Sequence, residues 1–420
     1  MATSRQLREQ IAAGRWDAAL AALYGGSEEV LARQRSRYGA ALEQFELYYG
    51  PGRQVQVYSA PGRTELGGNH TDHQHGCVIA AAVDMTTTAE VVLNGANVIR
   101  VDSEGYKPVE IGLNDLTIKE SEKNTTAALI RGVAAAFAQR GYKLAGFDAK
   151  VKSTVLPGSG LSSSAAFEVL IGRILNGLFA DNVISDIEIA QIGQYAENVY
   201  YGKPSGLMDQ MASSVGGLVF IDFNDPKTPI VEKVDYDFAH SGYTLCTIDS
   251  GADHADLTDE YAAMPIEMKK VAKFFGKEVL REVDEQEFYA KIAEIRKETG
   301  DRAVLRAIHF FNENRRVQMQ VRALKNDNFD AFLHYVNESG LASWTLLQNV
   351  LPLGAVQHQD MALTIALCQQ LLDGHGAVRV HGGGFAGTAL AFVPNNRFEQ
   401  FKDKIDAAIG VNAVHKLIIQ

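Results

Sequence analysis

Between residues 156 and 166 the chain reads Leu-Pro-Gly-Ser-Gly-Leu-Ser-Ser-Ser-Ala-Ala, and these residue types suit the holding of an anion. Gly158 and Gly160 permit backbone conformations that bring main-chain amides close to a ligand. The serines fall where a helix is predicted to begin, at Ser162. The first turn of a helix carries unpaired N–H groups at the positive end of its dipole. Serine hydroxyls add donors, and one could reach a magnesium ion. No Gly-Lys-Ser/Thr follows, so this is not a Walker A loop, and the third glycine of a dinucleotide fingerprint is missing. By residue type alone, an ordinary serine-capped helix start fits the run equally well.

A second cluster, His70-Thr-Asp-His-Gln-His75, invites a zinc reading. Its spacing fits no standard closed zinc site, and no cysteine helps. Cys77, Cys246 and Cys368 are far apart, which argues against a disulfide framework or a metal pair. Cys77 and Cys246 lie in apolar runs and read as buried thiols. The net charge of −11 disfavours a nucleic acid or an anionic membrane as partner. It does not exclude ATP, since backbone amides and a metal also hold phosphate.

The elements that must position these groups run along 420 residues, past the length at which one core usually stops growing, so two domains are expected. Residues 1–48 read as a helical N-terminal extension, closed by Tyr49-Gly-Pro-Gly52. Strands are predicted over 55–60, 77–83, 86–93 and 147–156, and helices over 125–139, 162–179 and 186–199. A polar stretch, 224–241, is the candidate junction between domains 49–225 and 226–420. The second domain alternates helices (260–275, 284–299, 303–323, 329–339, 359–373) with few strands. The pattern is mixed α+β rather than a regular βαβ series. Composition is that of an ordinary soluble chain, with 46% hydrophobic and 22% charged residues. There is no run of eighteen apolar residues and no apolar signal core at the start, so a cytoplasmic protein is expected.

At the glycine–serine loop the chain resembles a known family. The segment is similar to the second motif of the GHMP-superfamily small-molecule kinases, Pro-x-x-x-Gly-Leu-Ser-Ser-Ser-Ala, as it stands in galactokinases. Ala60-Pro-Gly-Arg-Thr-Glu-Leu-Gly-Gly-Asn-His-Thr-Asp72 resembles the galactokinase signature Pro-Gly-Arg-x-Asn-Leu-Ile-Gly-Glu-His-Thr-Asp-Tyr. Gly206-Leu-Met-Asp-Gln210 matches Gly-x-Met-Asp-Gln, and Arg379-Val-His-Gly-Gly-Gly-Phe-Ala-Gly387 resembles Arg-Met-Thr-Gly-Gly-Gly-Phe-Gly-Gly. His254 and Tyr261 keep the family's spacing. The motifs occur in order over nearly the whole chain after residue 50.

The resemblance implies a two-domain α+β GHMP kinase fold, with helices packed on mixed sheets and the active site in the interdomain cleft. It implies an ATP- and Mg²⁺-dependent kinase acting on the anomeric hydroxyl of a sugar. On this footing Asp209 is the catalytic carboxylate, and Arg63 orients it and stabilises charge. The ATP loop is Pro157, Gly158, Ser159, Gly160, Leu161, Ser162, Ser163 and Ser164, and Ser164 with Glu197 meets Mg²⁺. The sugar is held by Arg63, Asn69, His70, Asp72, Gly206, Asp209 and Tyr261. Expected partners are a sugar and ATP, with no nucleic acid and no membrane, for a monomer or weak homo-oligomer.

The chain departs from the pattern near the sugar. Asn69 stands where the family has the Glu expected to hold the C6 hydroxyl, Glu65 where it has Asn, His73 where it has Tyr, and Asp253 where it has Arg. No tryptophan falls in 125–132, the stretch aligned with the adenine site. A C6 carboxylate is repelled by Glu and tolerated by Asn. The reading is therefore a galactokinase, with a kinase for galacturonate or N-acetylgalactosamine as the alternative. A non-catalytic sugar and ATP sensor is the third possibility, and the intact Ser162-Ser-Ser-Ala-Ala166 and Asp209 argue against it.

Overall fold

The computed structural model describes residues 2–155, 159–252 and 257–420. A short strand, β1 (Ala2–Thr3), is followed by α1 (Ser4–Ala12), α2 (Asp17–Tyr24) and α3 (Glu28–Tyr49). Thr3 and Gln6 form a capping box at α1, and Ser27 caps α3. The buried faces of these helices, including Ile11, Tyr24, Tyr38 and Phe45, close over Val55 and Val92 of the sheet below. The N-terminal extension is thus a cover on one face of the first sheet.

That sheet contains β2 (Gln54–Gly67), β3 (Cys77–Leu93), β4 (Val98–Ser103), β5 (Val109–Gly112), β6 (Phe147–Ser153), β7 (Leu218–Asp222) and β8 (Ile230–Lys233). The order is β1-β2-β3-β6-β4-β5, with β7 on β3 and β8 on β7. Side chains alternate as a strand requires. Val92 faces the N-terminal helices, while Ala89 and Val91 face α4 (Thr126–Gln139), α5 (Ser163–Phe179) and α6 (Asp186–Tyr195). A further helix, α7 (Met208–Val215), packs on the β7 end of the sheet.

Two strands expected over 77–83 and 86–93 are one. The chain stays extended through Asp84 because the C-terminal tail pairs with it: Asp84 N donates to Ile418 O at 2.9 Å, and Ile418 N donates to the Asp84 carboxylate at 2.9 Å. A contact so distant in sequence leaves no local signal. In β2 the register with β3 shifts between Pro61 and Arg63 and again between Glu65 and Gly67. Such bulges re-aim side chains, and proline is tolerated at one because the ladder is already broken there.

The second sheet is β9 (Tyr243–Asp249), β10 (Ala377–Val380), β11 (Thr388–Pro394) and β12 (Val414–Leu417), in the order β10-β11-β9-β12. Around it lie α8 (Thr258–Phe274), α9 (Glu285–Ala290), α10 (Ile292–Thr299), α11 (Asp301–Lys325), α12 (Phe329–Ala342), α13 (Asp360–Leu372) and α14 (Phe398–Ala408). The helix expected over 284–299 is split at Lys291. The boundary expected at 225 cuts through paired strands, since β8 hydrogen-bonds β7, so the first sheet ends at Lys233. One core crosses the division. Leu66 and Ile79 of the first sheet pack with Val317, Val321, Phe332 and Phe392 of the second part.

Candidate active site

Arg63 projects from β2 between the two register shifts and is 7% exposed. Its Nε donates to Asp209 Oδ1 at 2.6 Å, and its Nη1 to the Gly160 carbonyl at 2.5 Å. Its backbone N–H donates to Leu161 O at 3.0 Å, which docks the glycine–serine loop against the strand. Asp209 lies in the first turn of α7. Its second oxygen, Oδ2, accepts the Ser162 hydroxyl at 2.7 Å. Three motifs distant in sequence therefore meet at one carboxylate. Burial raises the pKa of Asp209, but the charge and hydrogen bond of Arg63, with the Ser162 hydroxyl, outweigh it, and the carboxyl is held below its ordinary value.

Ser162 precedes α5 with a left-handed backbone (φ 56°) and makes no capping hydrogen bond. The first-turn amides of α5, which begins Ser163-Ser164, are left without the side-chain acceptor a serine normally supplies. Gly160 is also in the left-handed region (φ 72°), and a Cβ there would meet His381 Nδ1 at 2.7 Å, so this position requires glycine. Ser159 and Leu161 lie beside it. Pro157 and Gly158, like His254 and Asp253, fall outside the described residues.

Glu197 sits in a π-helical turn, Ala196–Tyr201, 3% exposed. Its Oε2 accepts from Gln210 Nε2 at 2.8 Å, and Lys203 Nζ lies 3.4 Å from Oε1. The same Gln210 nitrogen donates to Glu168 at 2.9 Å. Burial, reinforced by Glu197, pushes the Glu168 carboxyl well above its ordinary pKa. Sequence reasoning did not single out Gln210, Glu168 or Lys203. Gln210 stood beside Asp209 in a recognised motif, which was the available signal.

On the other side of Asp209 the segment 206–209 carries the chain to a second cluster. Gly206 lies so close to the Asp72 carboxylate that a Cβ would collide with it. His70 is left-handed (φ 62°), and its Nε2 donates to Gly383 O at 3.2 Å. Burial, then the neighbouring His73, lowers its pKa to about 3, so the ring is neutral. The Tyr261 hydroxyl donates to Gly384 O at 2.8 Å. The glycine run after β10 thus backs His70 and Tyr261. Asn69 is wholly enclosed: its amide nitrogen donates to Gly382 O at 2.7 Å and Glu65 Oε1 at 3.2 Å, and its oxygen accepts from Asn349 at 2.8 Å. Glu65 in turn is ion-paired with the fully buried Arg379.

Comparison with known proteins resolves what this arrangement belongs to. The pattern described as GHMP kinases N terminal domain matches residues 128–217, and the galactokinase galactose-binding signature matches residues 43–92. The galactokinase of Glaesserella parasuis serovar 5 (strain SH0165) is 31% identical over 369 residues, 86% of this chain and 91% of that protein. The chain belongs to the galactokinase family. Another galactokinase, from Streptomyces coelicolor, is 31% identical over 385 residues, 90% of this chain and 92% of its own. In fold, the chain is similar to Lactococcus lactis galactokinase crystallised with galactose (TM-score 0.77, 24% identity, 90% and 97% of the two chains). A crystallised mevalonate kinase shares the fold at TM-score 0.62 and 14% identity, covering 87% of this chain and 99% of that one. The two-domain α+β architecture expected from the motifs is therefore the GHMP kinase fold, and this galactokinase-family chain is a sugar kinase. Within it, Asn69 and Glu65 depart from the family signature and contact each other.

Proposed function

We propose that the chain is an ATP-dependent sugar 1-kinase that converts galactose and ATP to galactose 1-phosphate and ADP. The single observation that carries this is the meeting of Arg63, Ser162 and Asp209 at the uncapped start of α5. Backbone amides of that first turn and the hydroxyls of Ser163 and Ser164 bind the nucleotide's phosphates. Asp209 accepts a hydrogen bond from the C1 hydroxyl and holds its oxygen in line with the terminal phosphorus. The new bond joins that oxygen to phosphorus as the bond to the ADP oxygen breaks. Because Arg63 and Ser162 hold Asp209 as a stable carboxylate, it aligns the hydroxyl first and takes its proton late. Arg63 neutralises charge on the transferred oxygens. His70, Asp72, Gly206 and Tyr261 frame the sugar.

Glu197 and Ser164 supply hard oxygen donors suited to Mg²⁺, which takes most of its ligands from phosphate and water. When bound, the ion screens the phosphates. Lys203 and Gln210 restrain Glu197. Both substrates are small molecules, and no helix among the described residues is long and apolar enough to cross a membrane.

A second reading concerns the sugar. Asn69 is committed to protein partners and Glu65 to Arg379, so neither presents a free carboxylate to a C6 substituent. This supports tolerance of a C6 carboxylate, as in galacturonate. The purified protein assayed with ATP against galactose, galacturonate and N-acetylgalactosamine tests both readings. Turnover of galactose supports the first, and turnover of an acid far above galactose replaces it with the second. Failure to phosphorylate any of the three would remove both sugar assignments.

A further inference from the structure

His381 follows β10 and is 2% exposed, where the family motif quoted above has threonine. Its backbone N–H donates to Thr388 O at 3.0 Å, continuing the β10–β11 ladder. Its ring reaches both parts of the molecule. Nε2 lies 3.3 Å from the backbone nitrogen of Glu65 and 3.1 Å from Thr64 Oγ1. Nδ1 lies 3.0 Å from Thr388 Oγ1, and that oxygen lies 3.3 Å from the Ser159 carbonyl.

The donor and acceptor roles are forced. An amide nitrogen only donates, so Nε2 must present its lone pair to Glu65 N–H. A neutral imidazole then carries its hydrogen on Nδ1 and donates it to Thr388 Oγ1. A carbonyl only accepts, so the Thr388 hydroxyl hydrogen points to Ser159 O. Protonation of the ring would set a second hydrogen against Glu65 N–H. Burial, then the cations Arg63 and Arg379, also oppose it.

We infer that His381, locked as the Nδ1–H tautomer, is a positioning residue that fixes the glycine–serine loop to the Arg63 strand through Thr388. The inference rests on the kinase reading for its effect on nucleotide, though not for the tautomer. Thr388 holds the Ser159 carbonyl while Arg63 Nη1 holds the next one, that of Gly160. In a trans peptide the C=O and the following N–H point in opposite directions. Anchoring two consecutive carbonyls therefore turns the N–H groups of Gly160 and Leu161 away from the anchors, which is the orientation an anion requires. Loss of the tie removes one restraint on that peptide, at a left-handed glycine whose backbone can rotate readily.

The test uses ¹⁵N-histidine NMR on the full chain, with the His381 signal assigned from His381→Asn, together with hydrogen exchange and steady-state kinetics. The expected signal is that of the Nδ1–H tautomer, unchanged between about pH 6 and 8. In Thr388→Val and His381→Gln, amides near residues 159–164 exchange faster and KM for ATP rises about fivefold, one neutral hydrogen bond's worth, while KM for sugar holds. His381→Asn, whose amide nitrogen replaces Nδ1, recovers ATP KM to within about twofold of the wild type. An Nε2–H or titrating ring overturns the inference, as do unchanged exchange and unchanged ATP KM in folded Thr388→Val. A wild-type protein without ATP turnover would sink the kinase reading instead, leaving the tautomer and exchange measurements to decide this one.

Discussion

Ser162 donates its hydroxyl to Asp209 Oδ2 at 2.7 Å, and in doing so leaves uncapped the helix it precedes. In the proposed mechanism this one side chain would serve both substrates, orienting the carboxylate and leaving the helix amides to the nucleotide. Ser162→Ala removes the hydrogen bond while leaving the helix start in place. Hydrogen bonds to charged groups contribute about 1.5–3 kcal/mol, so kcat is expected to fall at least about tenfold. Steady-state assays that found kcat unchanged would take Ser162 out of this role.

Asp209 and Arg63 are predicted to act on the chemical step. Asp209→Asn keeps the shape and removes the charge, and Arg63→Ala removes the donor fork. Each is expected to lower kcat about a thousandfold or more, in the range seen when transition-state charge partners are removed. ATP affinity, read by calorimetry, is expected to persist in Asp209→Asn. Near-normal turnover by either variant would contradict the assignment.

Gly206 is held against the Asp72 carboxylate, with no room for a Cβ. Gly206→Ala must displace Asp72. The expected result is a sugar KM raised about tenfold or more with ATP KM little changed, since a misplaced polar ligand forfeits its hydrogen bonds. Equal effects on both substrates would show that the 206–209 turn, rather than Asp72, had moved.

Glu90 lies on the face of β3 covered by the N-terminal helices, fully buried, and among the described residues neither carboxyl oxygen has a hydrogen-bond partner elsewhere in the fold. Burial raises its pKa from 4.5 to about 7, against the weaker pull of Lys152 and Arg37. Between those values the unfolded chain loses this proton while the folded chain keeps it. Folding stability therefore falls as pH rises through that window and levels off above about pH 7. The loss amounts to about 3 kcal/mol at 1.36 kcal/mol per unit. Glu90→Gln is expected to remove this slope, so urea denaturation at pH 5 and pH 8 compares the two proteins directly. An identical slope in both would place the titration elsewhere.

Much of the site was legible because its parts are local. A glycine–serine loop before an apolar helix suits an anion through its backbone chemistry, and the candidate residues Arg63, Asp72, Ser162 and Asp209 sit inside short ordered motifs. The helices of the second part carry their own apolar spacing, and the structure forms them within a few residues of where they were expected. What the tertiary structure alone decided was pairing across distance. The union of 77–83 with 86–93 depends on the tail at Ile418, and the assignment of 230–233 to the first sheet depends on β7. Asn69 read as a sugar ligand by position, yet its amide is engaged by Glu65, Gly382 and Asn349. His381 read as one motif residue among several until Thr64, Glu65 and Thr388 surrounded its ring. Local spacing can specify which backbone shape a segment adopts, but a hydrogen bond between residues hundreds of positions apart exists only once the fold has brought them together.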